Sequence, residues 1–144
     1  MAARKNDYYR QQVERLGPQN LLPGARAAIE SVRQAGLKIG LASASRNAPL
    51  LLQRLGIAEL FDCVVDANLI SRSKPDPEIF LAAASALGVE PGECLGVEDA
   101  AAGIASIHAA GMVAIGIGHA QALAGADVVL PSIAKFDIGS LTTN

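Results

Sequence analysis

CLGVEDAAAGIASIHAAGMVAIGI, residues 94–117, holds the pattern that decides the fold. The apolar runs at 94–97 and 112–117 have the length of strands, and the alanine-rich segment 100–110 between them has the length of a helix. Gly111 is placed to end that helix. Continuously apolar strands that are joined by a helix are typical of a parallel sheet covered on both faces.

The same alternation continues on the N-terminal side of this segment and once more on its C-terminal side. We predict further strands at 37–42, 63–65 and 128–130, and further helices at 25–34, 48–55 and 77–87. Asp76 is the expected N-cap of the last of these helices. The expected fold is an α/β Rossmann-like parallel sheet with helices on both faces. Ligands of such sheets bind at the carboxyl ends of the strands, so the loops there deserve the closest reading.

Composition narrows the class of protein. The chain has 144 residues, enough for one domain with a core, and its formal net charge of −2 gives no general attraction to nucleic acid or anionic lipid. No apolar run reaches the length of a membrane span, and residues 1–15 lack the apolar segment of a signal peptide. We therefore expect a cytoplasmic protein, with Cys63 and Cys94 as reduced core residues.

The first loop that follows a strand is Ser43-Ala44-Ser45-Arg46-Asn47. Small hydroxyl residues before a helix expose backbone N–H groups and a hydroxyl to one point, where the helix N-terminus adds positive potential for a phosphate. Arg46 offers a two-pronged donor for a second phosphate contact. The alternative is an ordinary capped turn, in which serine and asparagine are common.

The second loop carries Lys74 directly before Pro75. Proline disfavours helical geometry at the preceding residue, so Lys74 is expected in a rigid loop where it can neutralise a phosphoryl group or a carboxylate. The alternative is a solvated lysine in a turn. A match of Ser71 and Lys74 to the Ser-x-x-Lys string of β-lactamases is rejected, because Pro75 and Pro77 place a loop where that motif needs a helix.

The third loop begins with the adjacent carboxylates Glu98 and Asp99. Hard oxygen ligands at a strand end, with coordination positions left for water and phosphate, suit Mg²⁺. The alternative is that Asp99 caps the following helix and Glu98 is solvated. The small residues at 101–103 favour the metal site, because they let another group approach the helix backbone closely.

Two other patterns carry less weight. Gly116-Ile117-Gly118 lacks the third glycine of a dinucleotide loop, since Gln121 occupies that position. His108 and His119 lack histidine or cysteine partners at metal-ligand spacing, so a zinc site is not expected.

Ser43, then Lys74 before Pro75, then Glu98-Asp99, each after a successive strand, resembles the haloacid dehalogenase superfamily of phosphotransferases. The strings LASASRN, SKPDPEIF and GVEDAAAGI look like its second, third and fourth motifs. The resemblance covers roughly residues 22–130 and is strongest to the β-phosphoglucomutase-like subgroup.

This resemblance implies two phosphate sites in the first loop. Ser43 and the backbone amide of Ala44 would bind the phosphoryl group that is transferred. Ser45, Arg46 and Asn47 would hold the second, non-reacting phosphate of a hexose bisphosphate.

The resemblance also implies roles for the other two loops. Lys74 would balance charge between the nucleophile and the phosphoryl group, and Glu98 and Asp99 would ligate Mg²⁺. Residues 1–20, with a helix at 4–16, would be the remnant of a helical cap domain and hinge. Residues 21–144 would form an incomplete core domain.

One family motif is missing. Members of the superfamily carry Asp-x-Asp after the first strand, as nucleophile and general acid/base, and no Asp-x-Asp follows any predicted strand here. In members of the superfamily that first strand lies between two other strands. Their counterparts in this chain are the predicted strands that end at Ala42 and Val97. We expect its loss to leave a slot of ~9–10 Å, two strand spacings, in the sheet. Either the slot closes, or a missing N-terminal segment or another chain fills it.

These expectations define the functional hypotheses. The chain would be the C-terminal part of a Mg²⁺-dependent phosphohexomutase that converts β-glucose 1-phosphate to glucose 6-phosphate through an aspartyl phosphate, and it would be inactive alone. The alternatives are a small-molecule phosphatase of the same superfamily, or a non-catalytic fragment that binds Mg²⁺ and phosphate. The Ser-Arg-Asn string after Ala44 favours the mutase, since it offers a second phosphate pocket.

Overall fold

The structure, a computed structural model, describes residues 24–136 of the chain, and the following bounds refer to that part. The α-helices are α1 (Ala25–Gln34), α2 (Ala48–Leu55), α3 (Glu78–Leu87) and α4 (Ala101–Ala109). The strands are β1 (Gly40–Leu41), β2 (Cys63–Val64), β3 (Leu95–Glu98), β4 (Val113–Ile117) and β5 (Val128–Leu130). Single turns of 3₁₀ helix lie at Ala58–Leu60, Ala67–Leu69, Pro91–Glu93 and Ile133–Lys135.

Most predicted elements form within one residue of their expected bounds, and α1, α2 and β5 have the expected bounds. The prediction of a six-residue first strand at 37–42 was wrong, because only Gly40–Leu41 forms a ladder. Within residues 24–136 this strand pairs only with β2, which is equally short. The prediction of Asp76 as the N-cap of α3 was wrong, because the N-cap is Pro77, which makes no side-chain cap bond. Asp76 lies one residue earlier, and its carboxylate accepts a hydrogen bond from the Glu78 backbone N–H at 2.9 Å.

The strands form two separate parallel sheets. β1 pairs with β2, while β3 pairs with β4 and β4 with β5, in register at Leu95↔Val113 and Ile115↔Val128. Within residues 24–136 no ladder joins β1 to β3. A cavity of about 700 Å³ is lined by residues 37–44 on the β1 side and 93–98 on the β3 side. The α/β class is therefore confirmed, and within residues 24–136 the two sheets are separate, in agreement with the slot that the sequence predicts.

The larger core cluster lies among α3, α4 and β4, and it includes Ile79, Phe80, Ile104, Ile107 and Ala114. Helix α4 lies against β3 because Gly96 has no side chain: a Cβ there would come within 2.6 Å of Ile107 Cγ1. The smaller cluster is formed by Leu52, Ile57 and Leu60 beside the two-stranded sheet. The larger cluster also includes Val65, next to β2, and its helix α3 contacts β1 and β2, so this cluster spans both sides of the gap. The smaller cluster lies on the side of β1 and β2.

One predicted region, the cap, is outside the part of the chain that the structure describes. The cap remnant at residues 1–20, including the helix at 4–16, lies outside the described residues, so the division into cap and core stays a prediction. In the described part, no helix is both long and apolar enough to span a bilayer.

Cys63 and Cys94 are free thiols, as expected, and both are partly buried. Burial, followed by the charge of Asp62, raises the pKa of the Cys63 thiol.

Candidate active site

Four of the predicted site residues line the cavity between the two sheets: Ser43, Ala44, Lys74 and Glu98. Ser43 and Ala44 follow β1, and Glu98 ends β3, so both strands deliver polar groups to the same edge. Lys74 comes from the loop before α3. The structure therefore brings one residue or more from each of the three predicted loops to one place.

Lys74 and Glu98 form an ion pair that is largely shielded from solvent. Lys74 Nζ lies 2.7 Å from Glu98 Oε2, with side-chain exposures of 25% and 11% respectively. Nζ also lies 5.2 Å from the centre of the Phe80 ring, within range of a cation–π contact. The alternative of a solvated lysine and a solvated Glu98 is therefore wrong. Shielding from water strengthens the attraction of such a pair beyond that of an exposed one.

The two adjacent carboxyl groups respond differently to this environment. Burial raises the pKa of Glu98, but hydrogen bonds from Lys74 and from the Asp99 backbone N–H outweigh it, and the net pKa is lowered. The pKa of Asp99 is raised, first by its side-chain hydrogen bond with Glu98 and then by burial. Because the ionised Glu98 opposes ionisation of its neighbour, a bound cation would favour the charged form of both.

Gly103 makes room for Glu98. A Cβ at this position would overlap Glu98 Cγ, the carboxyl carbon and Oε2, so the carboxylate lies directly against the first turn of α4. The small residues at 101–103 predicted a close approach to this helix, and at Gly103 the group that approaches is the chain's own Glu98. Asp99 does not cap α4: the N-cap is Ala100, and no side-chain cap bond is made there.

The first loop is divided between two cavities. Ser43 and Ala44 line the main one, whereas Ser45 and Arg46 line a second cavity of about 310 Å³ that also includes Asp66 and Asn68. The lining of neither cavity includes Asn47, which is the N-cap residue of α2 and makes no side-chain cap bond.

The hydroxyls of the first loop also organise the loop itself. Ser43 Oγ accepts a hydrogen bond from the Ser45 N–H at 3.1 Å, and Ser45 Oγ accepts one from the Asn47 N–H at 3.2 Å. These are the bonds of an ordinary serine turn. The turn and the phosphate interpretation are compatible, because a hydroxyl oxygen that accepts one bond keeps its own proton to donate.

Sequence reasoning missed two residues that hold the Lys74 loop. The Glu78 carboxylate accepts bonds from the Ser71 N–H at 2.8 Å, the Ser71 hydroxyl at 2.9 Å and the Arg72 N–H at 3.1 Å. These bonds, with that of the Ser71 backbone first, lower the pKa of Glu78. Ser106 Oγ on α4 donates to the Asp76 carbonyl at 2.6 Å. A single serine in an alanine-rich helix is the only sequence signal for the second contact.

The donor set at the strand end is compatible with Mg²⁺. This ion prefers carboxylate oxygens and is often held by one or two protein carboxylates together with water and substrate phosphate. Glu98 and Asp99 supply two such groups. Within residues 24–136 no cluster of three or more histidine, cysteine, aspartate or glutamate side chains could hold a metal ion, so further ligands would have to come from elsewhere.

Comparison with known proteins places these motifs in a family. The chain matches the model of the haloacid dehalogenase-like hydrolases over residues 2–111, a stretch that contains all three loops. It is similar to beta-phosphoglucomutase of Bacillus subtilis, with 46% identity over 127 residues that cover 88% of this chain and 56% of that protein. It is also similar to hexitol phosphatase B of Escherichia coli, with 34% identity over 124 residues, 85% of this chain and 56% of that protein.

A solved structure supports the same placement. The crystal structure of beta-phosphoglucomutase from Clostridium difficile matches with a TM-score of 0.95 and 38% identity, over 97% of this chain and 63% of that chain. This chain therefore spans little more than half the length of the two sequence relatives named above and under two thirds of that structure. Since the family model covers well over half of the sequence, the chain belongs to the haloacid dehalogenase-like hydrolase family.

Proposed function

We propose that this chain supplies the magnesium ligands, the charge-balancing lysine and the phosphate loop of a sugar-phosphate phosphotransferase most similar to β-phosphoglucomutase. The observation that carries the proposal is the meeting of Ser43, Ala44, Lys74 and Glu98 around one cavity at the strand ends. The 46% identity to the Bacillus subtilis mutase adds support.

Each residue has a role in this proposal. The Ser43 hydroxyl and the Ala44 N–H donate to oxygens of the phosphoryl group. Lys74 neutralises negative charge between that group and the nucleophile. Glu98 and Asp99 hold Mg²⁺, which when bound draws charge from the phosphoryl oxygens. Phosphoryl transfer depends mostly on such positioning and charge stabilisation, so this set of groups suits the reaction.

The second cavity favours a mutase over a phosphatase. Ser45 and Arg46 line a space that is separate from the cavity around Lys74. In this second space a second phosphate of a sugar bisphosphate would bind. Guanidinium groups bind phosphate in a two-pronged manner. The alternative is a phosphatase that acts on a small phosphorylated sugar, and the similarity to hexitol phosphatase B favours it.

The attacking group is not in this sequence, so we further propose that the slot between β1 and β3 accepts an extended segment that carries it. Within residues 24–136 neither β1 nor β3 has a strand partner on its slot side, so both edges can pair with an inserted strand. Such a segment comes from an N-terminal part of the protein or from another chain, and it places a carboxylate near Lys74. The chain alone is inactive in this account.

A reconstitution assay tests the proposal. The chain is mixed with Mg²⁺, β-glucose 1-phosphate and a hexose bisphosphate primer, with and without an N-terminal piece that bears Asp-x-Asp. We expect glucose 6-phosphate only in the presence of the added piece, and none when the Lys74→Met chain is used. Phosphate release without isomerisation would support the phosphatase instead, and turnover by the chain alone would refute the account of the missing nucleophile.

A further inference from the structure

We infer that Ser106 is a positioning residue, which holds the loop of Lys74 so that its amine meets Glu98. The inference rests on the proposed function for its catalytic meaning, but the geometry stands without it. Ser106 lies on α4, thirty residues along the chain from the carbonyl group that it binds.

The burial of Ser106 calls for a specific role. Its exposure is 0%, and it is the only polar side chain in the buried core of the described residues. A serine inside a helix ordinarily bonds to a carbonyl one turn earlier in the same helix. Here the hydroxyl donates to the Asp76 carbonyl at 2.6 Å instead. Because an unpaired buried hydroxyl is costly, this bond draws the Asp76 backbone onto α4.

Asp76 closes the turn that contains Lys74. Its backbone N–H donates to the Ser73 carbonyl at 3.0 Å, so Lys74 and Pro75 lie inside a turn whose last residue is the one that Ser106 holds. At the other end of the loop, the Glu78 carboxylate binds the backbone of Ser71. Glu78 belongs to the helix that continues the loop, whereas Ser106 ties the loop to a different element.

The same face of α4 fixes both partners of the ion pair. Gly103 and Ser106 are three residues apart and therefore lie on one side of the helix. Gly103 receives the Glu98 carboxylate, and Ser106 receives the loop of Lys74. Helix α4 therefore contacts both the Glu98 carboxylate and the loop of Lys74, while α3, which continues this loop, also contacts β1 and β2. The pair can then be in place before anything enters the slot.

Selective labelling of lysine amines tests this inference. The full chain is treated with limiting acetic anhydride, and acetylation of Lys74 is compared by mass spectrometry with that of Lys38, whose Nζ bonds the Leu87 carbonyl at an exposed position. We expect Lys74 to react more slowly than Lys38. In Ser106→Ala its relative labelling should rise about fivefold, the factor that corresponds to one hydrogen bond of ~1 kcal/mol.

Two further variants control for stability. Ser85→Ala removes an exposed serine from α3 and should leave the labelling ratio unchanged. Ser106→Cys, nearly the same shape with a weaker donor, should give an intermediate ratio. Circular dichroism confirms that each variant is folded. If Ser106→Ala lowers the melting temperature but leaves the Lys74 to Lys38 ratio unchanged, the hydroxyl only stabilises the core and the inference is wrong.

The labelling uses neither Mg²⁺ nor a sugar phosphate, so the two proposals fail separately. A normal labelling response in a chain that gives no turnover after reconstitution would count against the proposed function alone. In the reconstituted enzyme, we expect Ser106→Ala to lower kcat about fivefold with little change in KM, because Lys74 acts on the transferring group. If Ser106→Ala lowers the stability of the reconstituted enzyme but leaves kcat unchanged, the positioning role is contradicted.

Discussion

The two sides of the slot differ in the number and length of their strands and in the core that packs against them. The three-stranded side has strands of up to five residues and includes the fully buried Ile107, which belongs to a core cluster that also reaches Val65 beside β2. The two-stranded side has two-residue strands and a smaller cluster around Leu52. The Lys74–Glu98 pair belongs to the first side, since α4 holds both partners, while the Ser43 loop belongs to the second. The charge-balancing part of the site is therefore preassembled, and the phosphate loop depends on the less complete side.

The largest expected effect is on the core of the three-stranded side. Ile107→Ala should lower the free energy of unfolding by ~2–5 kcal/mol, because it leaves a cavity beneath β3. Urea denaturation measures the change. Leu52→Ala is the matched truncation on the other side, and we expect a smaller loss there. A larger loss for Leu52→Ala would reverse the comparison between the two sides.

The next largest effect is expected at Gly103. An alanine there would overlap the Glu98 carboxylate, so either the helix or Glu98 must move, at a cost of ~1–3 kcal/mol. Mg²⁺ affinity measured by calorimetry should fall at least tenfold if Glu98 is displaced. Gly92→Ala is the control, because a Cβ there meets nothing within 4 Å. If Gly103→Ala is folded and its Mg²⁺ affinity is unchanged, Glu98 is not a ligand of the proposed metal site.

A smaller effect is expected at Glu78, and it depends on pH. Its folded pKa is lowered from the ordinary value of 4.5, so its contribution to stability is full above about pH 4.5 and is lost as the pH falls through the folded value. Glu78→Gln should flatten this part of the pH dependence in thermal melts. Glu90→Gln, at another exposed carboxylate, should leave it intact. An unchanged slope in Glu78→Gln would show that the three bonds to its carboxylate do not stabilise the loop.

The sequence predicted those parts of the fold that depend on local chemistry. Pro49 at the start of α2 and Gly56 after its end define that helix, and its bounds were correct. The extent of β1 could not be predicted, because strand length depends on partners that are distant in the chain. For the same reason the contact of Ser106 with Asp76 was missed. Its two groups are brought together only when α4 packs beside the loop.

For the candidate site too, features set by local sequence were predicted and contacts between distant residues were not. Residue types and their order indicated the three loops, and the meeting of Ser43, Lys74 and Glu98 agrees with that prediction. The separation of Ser45 and Arg46 into a second cavity was implied by family resemblance and not by local pattern. The ion pair that occupies Lys74 in this structure could not be derived from sequence, because it depends on how Glu98 fits against Gly103.

A calorimetric titration of Mg²⁺ into the full chain, with and without inorganic phosphate, tests most directly whether the three loops form one site. The account predicts that phosphate tightens Mg²⁺ binding, that Glu98→Gln abolishes the tightening, and that Glu90→Gln does not. Mg²⁺ binding that is equally strong with and without phosphate, or that survives Glu98→Gln unchanged, would contradict it.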